Sequence, residues 1–257
     1  MSRSRLKRLY QLGKRRVDSL EDGKVYLAYL TVHDFFFYVS KELKVGLPQR
    51  YISNTALMYA LNTHISLVHR VVSGLKPYYK DDFKLFTIYA TPAVPVSASA
   101  LLGGKLVRNE FGGSLVKITY NSVGESLAFA MEKEGINVPK IGAYYKYTPL
   151  TTFKFYVLGG RGPSVIRIGK KYVPARVSYR ELSYVKKRGV FRCSHPVSLQ
   201  DLKNSKLLSG IPLPALPYPI IEDAVIEGEY LECKGDRGEC HLILLPPKEV
   251  YESLQIF

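Results

Sequence analysis

The residues of this sequence best suited to chemistry are cations and aromatic rings concentrated between positions 140 and 206. This stretch holds fifteen Lys or Arg but only two acidic residues, Glu181 and Asp201. Tyrosines, phenylalanines and glycines alternate with the cations. Cations neutralise phosphates, rings stack on bases, and glycine lets the backbone come close. The composition predicts a folded surface that binds nucleic acid, and the alternative is a solvated basic face over a tyrosine-rich core.

A glycine-rich turn at 158–163, followed by the basic segment 166–171, provides the most specific candidates. Amide N–H groups in such turns can form a nest for anions, and flanking cations add charge-assisted hydrogen bonds to phosphate. The alternative is an ordinary β-hairpin with solvated ends. We expect RNA contacts from Arg161, Arg167, Lys170 and Lys171.

Two other places carry further candidates. Residues 97–113 contain two Gly-Gly pairs with Lys105 and Arg108 between them, which is typical of a loop or hairpin that projects from the core. Both cations would then lie on RNA or on a neighbouring subunit, and the alternative is a flexible loop that contacts neither. Asn54 is also a candidate RNA contact, although its position at the start of a predicted helix equally suits a helix cap.

Five histidines are the candidates for catalysis. A metal-independent ribonuclease needs a general base near the 2′-hydroxyl, and either His33 beside Asp34 or the pair His64 and His69 could supply one. The sequence has no Ser/His/Asp set, no paired carboxylates and no phosphate-binding loop that ends in Gly-Lys-Ser/Thr. We therefore predict a protein without catalytic activity and without a cofactor, in which the histidines are structural or lie on the surface.

The three cysteines fit a reducing compartment, because their number is odd and small. Cys233 and Cys240 flank a turn-rich sextet, so a disulfide across a hairpin is one possibility. Zinc is the other possibility for this pair, since Cys193, His195 and His241 are also available as ligands, but the spacing matches no standard zinc motif. We predict no bound metal, and both readings of the cysteine pair stay open at this point.

The charge of the whole chain is +15, with a pI of about 9.6, and it is polarised along the sequence. The segment from Glu222 onward contains nine acidic and three basic residues. This excess of acid indicates a protein–protein interface or internal neutralisation of the basic surface. The first sixteen residues hold seven Lys or Arg and no acid, as in a basic arm on nucleic acid, a transit peptide or a frayed terminus. No apolar run is long enough to span a membrane, so we expect a cytoplasmic protein.

Hydrophobic periodicity predicts the elements that must position these residues. Helices are expected after Ser53, over 125–134 and over 198–208, and an extended segment that cannot be a central strand over 211–219. Strands are expected over 25–38, 83–90, 115–120, 142–158 (one long strand or two), 164–168, 172–184, 224–233 and 240–245.

This order predicts an α+β fold with a ferredoxin-like or RRM-type core, an elaborated β-rich C-terminal half and a projecting hairpin or loop. We expect a single domain over residues 1–257. Its appendages are a basic N-terminal arm at 1–23, the glycine-rich projection at 97–113 and an acidic C-terminal hairpin segment at 220–257.

Two segments resemble a known family. The helix entry at 51–61 resembles that of the small Cas-five-like subunit of CRISPR type I-D Cascade, the Csc-one family. The segment 166–171, ahead of Ala175-Arg176-Val177, resembles the Arg-x-Gly-Lys segment of that family. The order, the spacing and the chain length are similar too. The resemblance implies a RAMP-type fold and adds Arg176 to the candidate RNA contacts.

The resemblance also implies a non-catalytic role with defined partners. Such subunits cap the 5′ handle of the guide RNA (crRNA), abut a Cas-seven-like backbone subunit and dock a Cas-ten-like large subunit, with target DNA involved indirectly and no membrane. Two alternatives remain at this stage. One is a metal-independent endoribonuclease that processes CRISPR repeat RNA, and the other is a general RNA-binding protein.

Overall fold

The computed structural model describes residues 23–38, 45–46, 48–63, 65, 78–96, 115–122, 140–169, 172–236, 238–254 and 256. Antiparallel β-sheet dominates these residues. The helices are α1 (Asn54–Leu61) and α2 (Tyr79–Asp82), and 3-10 turns cover Phe83–Leu85 and Leu199–Leu202. The strands are β1 (Val25–Val32), β2 (Val45–Gly46), β3 (Tyr89–Ala90), β4 (Val94–Pro95), β5 (Leu115–Ser122), β6 (Lys140–Tyr147), β7 (Thr152–Leu158), β8 (Val165–Ile168), β9 (Val173–Arg192), β10 (Val197–Ser198), β11 (Lys206–Leu213), β12 (Ile220–Lys234) and β13 (Cys240–Leu244).

Ten of the strands in the described ranges form one sheet. Its main path runs β10-β12-β9-β1-β7-β3, with β11 and β13 on β12, β4 on β7 and β8 on β9. Strand β9 joins the two halves, because its first part pairs with β1 and β8 and its last ten residues pair with β12. A separate three-stranded sheet has the order β2-β6-β5.

The main sheet curls, so that its core changes faces along β9. Near the start of β9 the odd-numbered Val173, Ala175 and Val177 are buried, whereas farther along the even-numbered Leu182 is buried. Successive side chains of a strand point to opposite faces, and the twist of a long strand lets each face cover a different part of the core. One hydrophobic cluster therefore includes β1 and β7 together with Leu231 and other residues of β12 and β13.

Helix α1 begins as the sequence predicts. Ser53 is its N-cap residue, and the Ser53 Oγ accepts a hydrogen bond from the Ala56 backbone N–H at 3.3 Å. Leu57, Met58 and Leu61 are buried in the core. The hydroxyl satisfies one of the amide groups that a helix start leaves unpaired, so the cap and the apolar spacing together place α1.

Several predicted strands are confirmed. Strand β5 matches the prediction at 115–120, and the long alternating segment 142–158 is a pair of strands, β6 and β7. Strands β8 and β9 continue the predicted β pattern, and β12 and β13 form the last hairpin. The proline-containing segment after Ile211 starts within β11, an edge strand that pairs with β12, in agreement with the predicted exclusion from a central position.

Three predicted elements are wrong in part or whole. The helix over 198–208 is a short 3-10 turn followed by β11, because backbone pairing of β11 with β12 outweighs local helix propensity. The strand over 83–90 is a 3-10 turn with only Tyr89–Ala90 extended. The first strand ends at Val32, where a bend follows, and Phe36 then forms an isolated bridge to Tyr147.

The fold is therefore more strongly β than the predicted α+β class. The predicted helix over 125–134, the projection at 97–113 and the arm at 1–23, except Gly23, lie outside the described residues. Within the described residues the helices with complete bounds are α1 and the four-residue α2, and Thr63 and Ile65 are also helical.

The hairpin of β12 and β13 does not place Cys233 and Cys240 as the disulfide alternative requires. Its register places Cys233 opposite His241 and Cys240 opposite Lys234, so the two thiols lie on opposite faces of the hairpin. Cys233 is buried, Cys240 is exposed, and all three cysteines are free thiols.

Candidate nucleic-acid interface

One face of the sheet formed by β8, β9, β1 and β7 is polar. The register aligns Val165, Arg176, Thr31 and Thr152 in a row across these four strands. The Thr31 and Thr152 hydroxyl oxygens lie 3.0 Å apart and share a hydrogen bond. We call this surface the outer face, and it comprises Tyr29, Thr31, Thr152, Lys154, Val165, Arg167, Arg176 and Ser178.

Arg167 and Arg176 are neighbours on the outer face. Arg167 pairs with Pro174 and Arg176 pairs with Val165, so the two arginines are diagonal neighbours, with Cα atoms about 7–8 Å apart. Both are exposed. No described acidic residue forms an ion pair with either. Two unneutralised guanidinium groups this close favour an anion between them.

The turn after β8 carries an exposed tyrosine, Tyr172, whose backbone contacts Arg167. The Tyr172 N–H donates to the Gly169 carbonyl at 3.0 Å, and Arg167 Nη1 donates to the Tyr172 carbonyl at 3.4 Å. The Tyr172 side chain is 58% exposed. An exposed tyrosine next to a cation suits base stacking and phosphate contact together.

The structure explains why this turn contains a glycine. Gly169 has a φ of +75°, and a Cβ there would lie 2.9 Å from the Phe36 ring. A residue with a side chain would be strained and would collide with the core. The Arg-x-Gly-Lys pattern thus combines a surface cation with a turn that only glycine accommodates. Lys170 and Lys171, which continue the pattern, lie outside the described residues.

Arg161 belongs to a neighbouring edge. Its guanidinium carbon is 5.8 Å from the centroid of the Tyr179 ring, at cation–π distance. The Tyr179 hydroxyl donates to the Pro163 carbonyl at 3.0 Å, and burial raises the pKa of Tyr179. Tyr179 is odd-numbered, on the side of β9 opposite Arg176. The structure thus groups Arg167 with Arg176 and places the Arg161 guanidinium apart from them, over the ring of Tyr179.

The glycine-rich turn at 158–163 is packed rather than open. A Cβ at Gly159 would lie 2.5 Å from the Thr87 carbonyl oxygen, and one at Gly162 would lie 2.9 Å from Leu61 Cδ2. The Gly159 N–H donates to the Lys24 carbonyl at 3.1 Å. These contacts assign the glycines to packing, so Gly159 does not offer its amide to an anion.

Sequence reasoning did not select three cationic or aromatic residues that lie on the outer face or beside it. Tyr29 and Lys154 are half-buried and face each other across β1 and β7. The pKa of Lys154 is lowered, first by burial and then by nearby Arg180. Tyr172 is the third. The alternation of polar and apolar residues in β1 and the tyrosines interspersed among the cations were the sequence signals for these three residues. Which face of the sheet is exposed depends on the fold.

Asn54 lies inside the protein. Its Nδ2 donates to Asp201 Oδ2 at 3.1 Å, and its Oδ1 accepts from the Thr55 N–H at 2.9 Å. The residue is 2% exposed. The predicted RNA contact of Asn54 therefore lacks the exposed position that it requires, and Asn54 is not part of the outer face.

Asp201 is the acceptor that holds this interior network. Tyr89 and Tyr251 donate their hydroxyls to it at 2.8 and 2.7 Å. Burial raises the pKa of Asp201 to about 6, and the two tyrosine hydrogen bonds oppose that rise. Lys105 and Arg108, the remaining predicted contacts, lie outside the described residues.

The histidines occupy different environments. His195 is buried, and its Nδ1 lies 2.7 Å from the Pro196 carbonyl oxygen, to which it donates. Burial lowers the pKa of His195 to about 4. Burial also lowers the pKa of His241, and nearby Lys154 adds to this effect. His33 is exposed at the end of β1, where its N–H donates to the Pro174 carbonyl at 3.0 Å. His64 and His69 lie outside the described residues.

The zinc alternative finds no support in geometry. In the part of the chain that the structure describes, no three His, Cys, Asp or Glu side chains are grouped so that they could bind a metal ion. Burial raises the pKa of Cys193 to about 12, which disfavours the thiolate that zinc requires.

The described helices and two comparisons with known proteins bear on the identity of this chain. Within the described ranges no helix is long and apolar enough to cross a bilayer. A search of curated proteins finds no significant match. The family model of the type I-D CRISPR-associated protein Cas5/Csc1 matches residues 23–249. This chain therefore belongs to the type I-D CRISPR-associated Cas5/Csc1 family and is a subunit of the type I-D CRISPR Cascade.

Proposed function

We propose that this subunit binds the 5′ handle of crRNA on its outer face and performs no catalysis. The observation that carries the proposal is that Arg167 and Arg176 are diagonal neighbours on adjacent strands, exposed and without a described acidic partner, and that the exposed Tyr172 lies in the turn after Arg167. Guanidinium groups bind phosphate in a bidentate manner, and single-stranded RNA is bound by phosphate contacts together with base stacking.

The polar sheet surface supports single-stranded RNA over a duplex. Tyr29, Thr31 and Lys154 extend the outer face across β1 and β7. Hydroxyls and ammonium groups hydrogen-bond to phosphate and sugar, and a β-sheet surface that carries aromatic side chains accepts unstacked bases, as in RRM domains.

We propose a RAMP-type, ferredoxin-like core as the scaffold of this face. The path β9-β1-β7-β3 supports it, because the first, second, third and fourth strands of a ferredoxin-like unit then have the spatial order four-one-three-two. Helix α1 follows β1, as that topology requires. The connection from β7 to β9 departs from the pattern, since it contains the strand β8 in the described residues.

The wider role that we propose follows the family. The subunit would abut a Cas-seven-like backbone subunit and a Cas-ten-like large subunit in the cytoplasm and hold the guide RNA for interference against target DNA. The acidic C-terminal segment from Glu222, which contrasts with the basic 140–206 stretch, supplies charge for contact with a partner protein.

The test is the double variant R167Q/R176Q, measured with crRNA in a reconstituted complex and with the isolated chain. We expect at least about a tenfold loss of affinity for handle RNA, because each arginine makes charge-assisted hydrogen bonds worth more than 1 kcal/mol. The matched control is R192Q, at the exposed far end of β9, where Arg192 pairs with Asp223 at 2.9 Å. Equal affinities for the double variant and wild type would remove the outer face from the RNA site.

His33 is the observation that favours the endoribonuclease alternative. It is exposed, and its N–H binds the carbonyl of Pro174, the residue that pairs with Arg167. Metal-independent RNA cleavage needs a general base and a cation that stabilises the developing charge, and the backbone of His33 is bonded to the strand that carries Arg176. Incubation of repeat RNA with the protein in EDTA decides the matter. Specific cleavage that disappears in His33→Ala would replace the binding role with an enzymatic one, and intact RNA would agree with our proposal.

A further inference from the structure

A second basic surface lies toward the other end of β9. A cleft of about 440 Å³ opens between the β9–β12 ribbon and the segment that follows β13. Lys186 and Arg188 line it from the ribbon, and Lys248 lines it from the facing wall, with Glu229 as the acid of the lining. The outer face does not extend here, because ten residues of extended strand, about 33 Å, separate Arg176 from Lys186.

The cations of β9 in this ribbon differ in their ion pairing according to the face of the strand on which they lie. Lys186 and Arg188 lie on one face of β9, while Lys187 lies on the other and forms an ion pair with Glu232. Glu229 pairs with Arg188 in the strand register. No ion pair joins Lys186 or Arg188 to an acid among the described residues. Lys186 and Arg188 therefore face the cleft without an ion-pair partner among the described residues and can bind an external anion.

The spacing of these cations suits a polynucleotide. Residues two apart on one strand face are about 6.6 Å apart, which is close to the separation of successive phosphates along a nucleic-acid chain. The cleft lining contains no aromatic side chain. Contacts here would therefore be to phosphates and independent of base sequence.

The walls of the cleft are held in place before any ligand binds. The Leu245 N–H donates to the Glu229 carbonyl at 3.1 Å, and Pro246 and Pro247 that follow are buried. On the other side, Asn204 Nδ2 donates to Glu249 Oε2 at 2.7 Å. A preformed site loses little conformational entropy on binding.

The glycine in β12 lets one wall come close to the ribbon. A Cβ at Gly228 would lie 2.4 Å from the Ser205 hydroxyl oxygen. Ser205 therefore lies directly against the strand, and its N–H donates to the Leu202 carbonyl at 3.1 Å. A side chain at position 228 would displace this wall and change the cleft.

We propose that this cleft binds the phosphodiester backbone of a second nucleic-acid segment, distinct from the segment on the outer face. The shared chemistry is a run of phosphates, which belongs either to a more distant part of the guide RNA or to a strand of target DNA. The inference uses Lys186, Arg188 and Lys248 and does not depend on the outer face.

The experiment compares K186Q/R188Q with K187Q, whose lysine lies on the same strand but is paired on the opposite face. The reconstituted complex, carrying its crRNA, is titrated with a fluorescent target-DNA duplex, and the chain alone is titrated with an unrelated 20-nucleotide RNA. We expect a fall in affinity of at least fivefold for one probe and a salt slope reduced by about 1.4 to 1.8, while K187Q matches wild type.

The pattern of losses identifies the source of the phosphates. Loss for the RNA probe alone assigns the guide RNA, and loss for the DNA probe alone assigns the target strand. Unchanged binding of both probes overturns the proposal. If binding is unchanged but assembly of the complex weakens, the cleft binds an acidic protein surface and the proposal is also overturned. The outer-face variant R167Q/R176Q is titrated in parallel, so that failure at one site is distinguished from failure at the other.

Discussion

The amide nitrogen Nδ2 of Asn54 donates to Asp201 Oδ2 at 3.1 Å in the interior of the protein. The two residues are 147 positions apart in the sequence. Asp201 also accepts hydrogen bonds from Tyr89 and Tyr251. One carboxylate therefore connects the first turn of α1, β3, the second 3-10 turn and the C-terminal segment, and these contacts give Asn54 a structural role.

Replacement of Asn54 by Ala should reduce the free energy of unfolding by about 1–3 kcal/mol, because a buried carboxylate loses one of its three donors. Affinity for RNA should stay at the wild-type value when the variant is folded. Urea denaturation and RNA titration measure the two effects. The control Asn204→Ala, whose hydrogen bond to Glu249 is exposed, should change stability by less than about 0.5 kcal/mol. A loss of RNA affinity at unchanged stability would restore Asn54 as a contact.

His195 should make the protein less stable in acid. Burial lowers its pKa from 6.5 to about 4 in the folded state, so the unfolded chain takes up a proton first as the pH falls. The stability contributed by neutral His195 is complete above pH 6.5 and is lost as the pH falls through 4. Asp201 acts in the opposite direction, because its pKa rises from 3.8 to about 6 on folding and its protonation stabilises the folded state below pH 6.

The variant His195→Gln isolates the histidine contribution. Between pH 7 and 4.5 its free energy of unfolding should fall by about 2–3 kcal/mol less than that of wild type. Denaturant titrations at a series of pH values give the two curves. Parallel curves would show that His195 is protonated equally in the folded and unfolded states.

Alanine substitutions at two glycines with positive φ distinguish the cost of backbone strain from the cost of a steric clash. Gly159 (φ +98°) has Leu254 Cδ1 and the Thr87 oxygen 2.5 Å from the position of a Cβ, whereas Gly238 (φ +78°) has open space there. We expect Gly159→Ala to cost at least about 3 kcal/mol, since strain and overpacking add. Gly238→Ala should cost about 1–2 kcal/mol from strain alone. Thermal or urea unfolding of both variants measures this difference, and equal costs would mean that the turn at Gly159 relaxes freely.

The cysteines should differ in reactivity. Cys240 is exposed, while burial raises the pKa of both Cys193 and Cys233 to about 12. Maleimide should modify one thiol in the native protein and three after unfolding, without prior reduction. Mass spectrometry counts the adducts. A native protein that gains no adduct, and that releases two further thiols only after reduction, would instead carry the hairpin disulfide.

Local signals in the sequence determined much of this protein. The Ser53 cap with the apolar spacing behind it predicted α1, and alternation predicted β5 to β9 and the last hairpin. The basic aromatic stretch made Arg167 a candidate contact, and the family resemblance added Arg176. Each of these signals acts between residues that are close in sequence, where cap hydrogen bonds and side-chain periodicity are decided.

Only the tertiary structure decided which residues share a surface. Pairing of β9 with β1 and β8 brings Arg176 beside Arg167, while the curl of the same strand directs Lys186 and Arg188 to a separate cleft. Long-range pairing with β12 makes β11 a strand in spite of its local pattern, and Asp201 draws Asn54 into the core. These outcomes depend on strand register and burial between residues far apart in the chain, which no local pattern encodes.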